Sequence, residues 1–202
     1  MAVTSSKYVI FCWVESSIWK GIRHPTLKLI YDIANALSVQ ISIPSGYILR
    51  KAREQDIDGV VYVNSESLPE HYTMSFYSSI FTTNPDTFLV VDLDGKIVGY
   101  HMGRIEYGFS IRGRPQLIKK GHVISIAVLR EHRGKGLGTA LMQMALDEFL
   151  KSGCAVSFLE VRVSNEQAIA MYKKIGYTIA ERIRGYYNDG EDAYVMEKQL
   201  LR

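Results

Sequence analysis

The sequence predicts a mixed α/β fold, one sheet flanked by helices with an N-terminal extension before it. Three observations predict it. First, Gly121-His-Val-Ile-Ser-Ile-Ala-Val-Leu129 alternates, with His122, Ile124, Ile126 and Val128 on one strand face and Val123, Ser125 and Ala127 on the other. It runs through a basic, glycine-spaced turn into a helical stripe of Leu137, Leu141, Ala145 and Phe149. Second, the strand-like runs Phe88 to Asp92 and Lys96 to Ile105 flank Leu93-Asp94-Gly95, a hairpin signal. Third, from residue 47 the elements read βααβββαβαββ, hairpins on one side and helical crossovers on the other.

Taken in order, residues 1–46 form the extension. Within it Tyr8 to Val14 reads as a strand, and Leu27, Ile30, Tyr31, Ala34 and Leu37 have helical spacing after Pro25. Pro44-Ser45-Gly46 breaks the chain, and a domain of residues 47–202 follows. Tyr47 to Lys51 is its first strand, and Asp56 to Asn64 a helix with acids near its start. Leu68-Pro69-Glu70-His71-Tyr72 then turns into a helix carrying Phe76, Tyr77, Ile80 and Phe81. After the hairpin, Gly108 to Lys120 is rich in Gly, Arg and Lys and reads as a mobile basic loop. Val156 to Val163 is a strand. Ser164, with Gln167 three residues on, makes a capping box for a helix that Gly176 closes. Tyr177 to Arg184 and Ala193 to Lys198 are the last strands.

Composition narrows the function classes. A chain of 202 residues has room for one domain and an extension, on a prior of about 150 residues per domain. The net charge of +3 compels no nucleic-acid partner. No apolar run approaches the length of a membrane span, and Tyr8 to Val14 is short for a signal peptide and lacks a cleavage site. Two cysteines, Cys12 and Cys154, give neither a disulfide framework nor metal spacing, which suits the cytoplasm.

The turn after the central strand carries the chemistry. Unpaired N–H groups and the dipole at a helix start attract an anion, and glycine lets backbone approach phosphate oxygens. A P-loop would need Ser or Thr after its lysine, but Gly136 follows Lys135. Glycines 134, 136 and 138 also have the wrong spacing for a dinucleotide fingerprint. Arg133-x-x-Gly136-x-Gly138 does resemble the Gln/Arg-x-x-Gly-x-Gly/Ala motif of the GCN5-related N-acetyltransferase superfamily. The bland alternative is a basic loop capping an ordinary helix.

Four further stretches narrow the resemblance. They are Leu68-Pro69-Glu70-x-Tyr72, Gly121 to Val128, Leu159-Glu160-Val-Arg162-x-Ser164-Asn165, and Tyr186-Tyr187-x-Asp189-Gly190-Glu191-Asp192-Ala193-Tyr194. Together they are similar to the protein N-terminal acetyltransferases, in the branch of the N-terminal acetyltransferase A catalytic subunit and its archaeal stand-alone relatives. The resemblance spans about residues 47–200 and leaves the extension unexplained. It implies a centrally splayed sheet and acetyl-CoA as donor. It further implies a pyrophosphate site at His132, Arg133, Gly134, Lys135, Gly136, Leu137 and Gly138. The backbone of Ile124, Ser125, Ile126, Ala127 and Val128, with Asn165, would carry the pantetheine and thioester. His122 and Glu160 would act as bases through water, and Tyr172 would give a proton to the leaving thiolate. Leu68, Pro69, Glu70 and Tyr72 would grip the substrate's first residues, with Tyr186 and Tyr187 closing over them.

Each residue also has a plain reading. His122 could be a satisfied core histidine, Glu160 an ion-pair member, Tyr172 core packing and Asn165 a first-turn helix residue. Glu70 could be a solvated carboxylate, and Tyr186 and Tyr187 turn aromatics. His122 with Glu160 offers two zinc ligands without a third, so no metal is expected.

An α-amine with pKa near 7.7–8.0 is neutral in about one molecule in ten at pH 7, so a modest base suffices. A lysine near 10.4 would cost about 4–5 kcal/mol to deprotonate. The resemblance implies protein or peptide N-termini as substrates, and a fixed Glu70 carboxylate near their leading residues predicts Ser, Ala or Thr first with some Met-Leu activity. The expected protein is a monomer or weak dimer, with the ribosome as a candidate partner and neither nucleic acid nor membrane required. The alternatives are acetylation of lysine or a small amine, or a non-catalytic acyl-CoA sensor or partner subunit.

Overall fold

A computed structural model describes residues 43–109 and 115–201. The strand and helix expected before residue 43 lie outside the described residues. Those that are described form strands β1 (Tyr47–Lys51), β2 (Phe88–Leu93), β3 (Lys96–Phe109), β4 (Leu117–Val128), β5 (Val156–Arg162), β6 (Thr178–Ile183) and β7 (Ala193–Gln199). The helices are α1 (Ile57–Ser67), α2 (Met74–Thr83), α3 (Leu137–Lys151) and α4 (Glu166–Lys174). This is the expected βααβββαβαββ order, and the strands make one mixed sheet in the order β1-β2-β3-β4-β5-β7-β6.

Side-chain periodicity accounts for the layers. Ile57, Val60 and Val63 bury one stripe of α1, while Leu137, Leu141, Ala145 and Phe149 bury the stripe of α3. β2 is apolar throughout Phe88 to Val91 and buried on both faces, as a strand inside the sheet should be. The approach of α3 to β4 depends on Gly121: a Cβ there would overlap the Phe149 ring.

Three expectations need correction. Most of the described part of the stretch Gly108 to Lys120 is ladder, not loop: β3 runs to Phe109, β4 starts at Leu117, and the register continues through Tyr107↔Lys119 to Phe109↔Leu117. Its Gly, Arg and Lys content hid the alternation of Tyr107 and Phe109, and residues 110–114 are outside the description. Helix α1 continues to Ser67, beyond Asn64, and stops because Leu68 is extended (φ −131°, ψ 146°) before Pro69. The cap of α4 is Asn165, whose Oδ1 accepts from the Ala168 N–H at 3.1 Å. Ser164 lies one residue ahead of that position, and its own N–H, which the expected box would give to Gln167, donates to Glu191 Oε1 at 2.9 Å.

Two irregularities shape the middle of the sheet. Between Met102↔Ser125 and Gly103↔Val123 the β3–β4 register shifts, leaving Ile124 as the extra residue of a bulge. β4 and β5 run parallel, but their pairing ends at Val123↔Leu159. Beyond that pair the strands part, and β5 continues against β7 alone, through Arg162↔Ala193.

Candidate active site

The parting of β4 and β5 opens a cleft of about 360 Å³. One wall is the end of β4 (Ile126, Ala127, Val128) with the turn and start of α3 (His132 to Gly134 and Gly136 to Thr139), and the other comes from Asn165, Ala168, Met171 and Tyr172 around α4. Gly136 caps α3 in the left-handed region (φ 80°), a conformation that a Cβ disfavours. The first N–H groups of α3 have no carbonyl a turn earlier to bond and are turned toward the cleft's basic rim. A Cβ on Gly138 would come within 3.3 Å of the Met171 sulfur, so the two walls are close there only because glycine is present. A narrow cleft with free N–H groups and a glycine-bared backbone fits a long, anionic thioester such as acetyl-CoA.

The turn is braced from beneath. Tyr47 Oη lies 2.9 Å from His132 Nδ1 and accepts from Lys135 Nζ at 2.8 Å. Arg133 Nε donates to the Val128 carbonyl at 2.8 Å, which ties the turn to the strand end. Sequence reasoning missed Tyr47, which sits 85 residues before its partner His132 and carries no local signal. Lys135 does not line the cleft, nor do Ile124 and Ser125 among the residues expected to hold the donor. Ser125 is turned into the core, where its hydroxyl lies 2.5 Å from Tyr100 Oη, and Tyr100 in turn accepts from Asn64 Nδ2 at 2.8 Å. Leu68, expected to grip substrate, lies in the cleft wall instead.

At the fork itself stand His122 and Glu160. His122 is opposite Phe158 in the last stretch of β4–β5 pairing, and Glu160 is the first β5 residue past it. His122 Nε2 and Glu160 Oε2 are 2.8 Å apart, and the imidazole stacks on Phe158 with centroids 4.3 Å apart. Both side chains are mostly enclosed, at 16% and 17% exposure, so neither is a solvated surface group.

Two loops face this pair. Tyr72 stacks on Phe76 and donates to the Ile124 carbonyl at 3.4 Å. Burial first, then neighbouring hydroxyls and acids including Glu160, pushes the Tyr72 phenol up to about 12. Burial is also the leading cause of upward shifts at Tyr186 and Tyr187, with Glu160 again contributing. All three hydroxyls thus stay neutral and able to donate. Tyr172 is raised too, by burial, so it keeps its proton in the cleft wall.

Glu70 is not a lone carboxylate. Arg162 Nη2 donates to Glu70 Oε1 at 2.6 Å, while Arg162 Nη1 donates to Asp189 Oδ2 and Glu191 Oε2, each at 2.7 Å. The guanidinium also lies 4.0 Å over the Tyr187 ring. Arg162 loses hydration, but hydrogen bonds to Glu191, Glu70 and Asp189 outweigh that and raise its pKa. Arg162 was visible in its motif, yet its bridging role depends on partners 92, 27 and 29 residues away.

Among the described residues no cluster of three or more His, Cys, Asp or Glu could hold a metal ion, and no helix is long and apolar enough to cross a membrane.

Comparison with known proteins places this geometry. A model of the acetyltransferase (GNAT) family matches residues 52–177. The chain is 45% identical over 156 residues to an N-alpha-acetyltransferase of Sulfurisphaera tokodaii, covering 76% of this chain and 93% of that protein. It is 36% identical over 157 residues to the N-terminal acetyltransferase A complex catalytic subunit NAA10 of Arabidopsis thaliana, covering 75% and 77%. Among solved structures, Ard1 from Thermoplasma volcanium superposes with a TM-score of 0.67 at 29% identity, over 78% of this chain and 99% of that one.

Proposed function

Because the chain belongs to the acetyltransferase (GNAT) family, we propose that it acetylates small first residues of proteins, with His122 and Glu160 sharing the base's work. The coarser activity is that of its relatives at 42–45% identity: it is a protein N-alpha-acetyltransferase, and acetyl-CoA is its donor. The observation that carries the finer reading is the 2.8 Å contact between His122 Nε2 and Glu160 Oε2 at the fork, beside the cleft and facing the tyrosine-lined loops.

Residues Arg133 to Gly138 and the first N–H groups of α3 would hold the donor's pyrophosphate, and the wall from Ile126 to Val128 with Asn165 would hold its arm. Asn165 can contribute its amide N–H₂ while Oδ1 serves as the cap. The donor supplies an activated acyl group. Glu160 and His122 take a proton from the incoming ammonium, directly or through water, which costs only a little over 1 kcal/mol at pH 7. Tyr172, kept protonated by burial, would donate a hydrogen bond to the departing thiolate, and giving up its proton is optional for so good a leaving group.

Charge at the mouth supports the choice of first residues. Arg162 carries one positive charge against three carboxylates, Glu70, Asp189 and Glu191, so the cluster keeps a formal charge of −2. That excess disfavours an acidic second residue. Glu70 beside a large apolar first side chain also costs desolvation, which favours Ser, Ala and Thr over Met-Leu.

The test is kcat/KM for Ser-starting and Met-Leu-starting peptides, with products identified by mass spectrometry. Glu70→Val is expected to shift the ratio toward Met-Leu, and a constant ratio would remove Glu70 from substrate choice. In the same assay His122→Ala and Glu160→Gln are each expected to lower kcat by ~10²–10⁴-fold, or less where the partner substitutes. A double variant with unchanged kcat would rule both out as the base.

A further inference from the structure

Between α1 and the sheet runs a buried polar chain that the proposed mechanism does not use. Asn64 of α1 is 1% exposed, on a face otherwise given to Val60 and Val63. Its Nδ2 donates to Tyr100 Oη at 2.8 Å, and Tyr100 Oη lies 2.5 Å from Ser125 Oγ. Its Oδ1 lies 3.2 Å from Nδ1 of His71, an exposed residue of the α1–α2 loop. An amide oxygen can only accept, so His71 carries a proton on Nδ1 and donates it to Asn64. The next residue, Tyr72, donates to the Ile124 carbonyl at 3.4 Å. One short run of chain, Asn64 to Tyr72, therefore grips two consecutive residues of β4. It holds Ser125 by way of Tyr100, and Ile124 by its carbonyl.

Those two residues occupy a particular place on the strand. Ile124 is the bulge, and with Ser125 it separates His122 at the fork from Ile126 to Val128 in the cleft wall. Glu70, bonded to Arg162 at the mouth, belongs to the same loop as His71 and Tyr72. On the proposed reading the amine is held by that loop and the acyl group by β4, so their separation depends on how the loop is fixed to the strand. Apolar side chains on α1 could fill the same space without desolvating a polar group. The bonded chain adds direction, because each hydrogen bond constrains an angle as well as a distance.

We propose that Asn64 is a positioning residue for the acetyl transfer, fixing the α1–α2 loop to β4 so that the amine and the thioester carbon meet at reacting distance. The proposal rests on the reading of that loop as the grip on the peptide and of the cleft as the donor's site. His71 is the link from Asn64 to the loop, and Tyr100 with Ser125 is the link to the strand. No proton travels along the chain, whose bonds are the same before and after the reaction. Rate is steep in the placement of reacting atoms, and an error of about 1 Å can cost about 10²-fold. A loop released from Asn64 still carries Glu70 and Tyr72, and the cleft still has both its walls. Each ligand therefore keeps its own contacts, and what is lost is their alignment.

The test is the single-turnover rate with a Ser-starting peptide and saturating acetyl-CoA, with thermal unfolding as a check on folding. His71→Leu cuts the link at an exposed position, where the fold tolerates the change, and is expected to lower the rate about tenfold. The Kd for coenzyme A should stay as in the wild type. His71→Asn keeps an N–H near the place of Nδ1 and is expected to restore most of the rate. Asn64→Leu should match His71→Leu, and the double variant should be no slower than either single, because both cut one linkage. Independent sites would instead multiply to about a hundredfold. A wild-type rate in His71→Leu, equal losses in His71→Leu and His71→Asn, or losses that multiply in the double variant would overturn the proposal. So would a parallel loss of coenzyme A affinity, the mark of general loosening. Tyr72→Ala with unchanged peptide KM and rate would show that the loop does not hold the peptide, and that reading would fall together with the proposal.

Discussion

Burial acts in opposite directions on His101 and Tyr172, because it disfavours whichever form carries charge. The Tyr172 phenol is pushed up and remains a donor, whereas the fully enclosed His101 is pushed down from 6.5 to about 4. His101 Nδ1 donates to the Thr87 carbonyl at 2.9 Å, and its Nε2 has no partner to accept from or donate to. This is a base whose folded value lies below its unfolded one. The unfolded chain therefore takes up a proton that the fold refuses, and stability is intact above about pH 6.5 and falls as pH drops toward 4. Such a shift corresponds to about 3 kcal/mol over the full window. Urea unfolding at pH 7 and pH 4.5 should show the wild type losing roughly 2–3 kcal/mol more than His101→Gln. Equal losses in both proteins would clear His101 of this role.

At the scale of elements, the joint between the α1–α2 loop and the β6–β7 loop depends on one β5 residue. Arg162→Gln should raise the peptide KM by on the order of tenfold, with the KM for acetyl-CoA unchanged, because the donor cleft is formed by other residues. Steady-state kinetics with each substrate varied in turn decides it; an unchanged peptide KM would mean that the joint does not shape the groove. What could be read beforehand at this scale was what is local. The β2–β3 hairpin, the glycine turn and the stripe of α3 each declare themselves within a few residues. The β3–β4 arms did not, because Gly, Arg and Lys diluted their alternation. Ser164 and Asn165 are both good caps, and what separates them is a difference of one residue in where the helix begins, which composition does not show. The pairing of His122 with Glu160 could be anticipated from neighbouring parallel strands, but Tyr47 reaches the glycine turn only through tertiary contact.

For the whole molecule, the donor cleft takes one wall from β4 and α3 and the other from α4, so a ligand there ties the two parts of the divided sheet together. Coenzyme A at about 100 times its Kd should stabilise the fold by about 2.7 kcal/mol, visible as a rise in Tm. Gly136→Asp puts a Cβ at φ 80° and a negative charge against the phosphates, and should abolish that rise in a folded protein. A rise of wild-type size in the variant would move the pyrophosphate elsewhere. The Arg162 joint bears on a different matter, the route of entry. Because the guanidinium is bonded to Glu70 on one loop and to Asp189 and Glu191 on the other, the two loops are joined at that point, and a peptide reaching the proposed bases between them would pass under a roof. A free chain end can be threaded beneath such a roof. A mid-chain segment, or a lysine displayed on a folded surface, would have to part the ion pairs before it could lie down. On the proposed reading, discrimination between termini and internal amines would reside in the path a chain must take, a constraint set apart from the choice among first side chains.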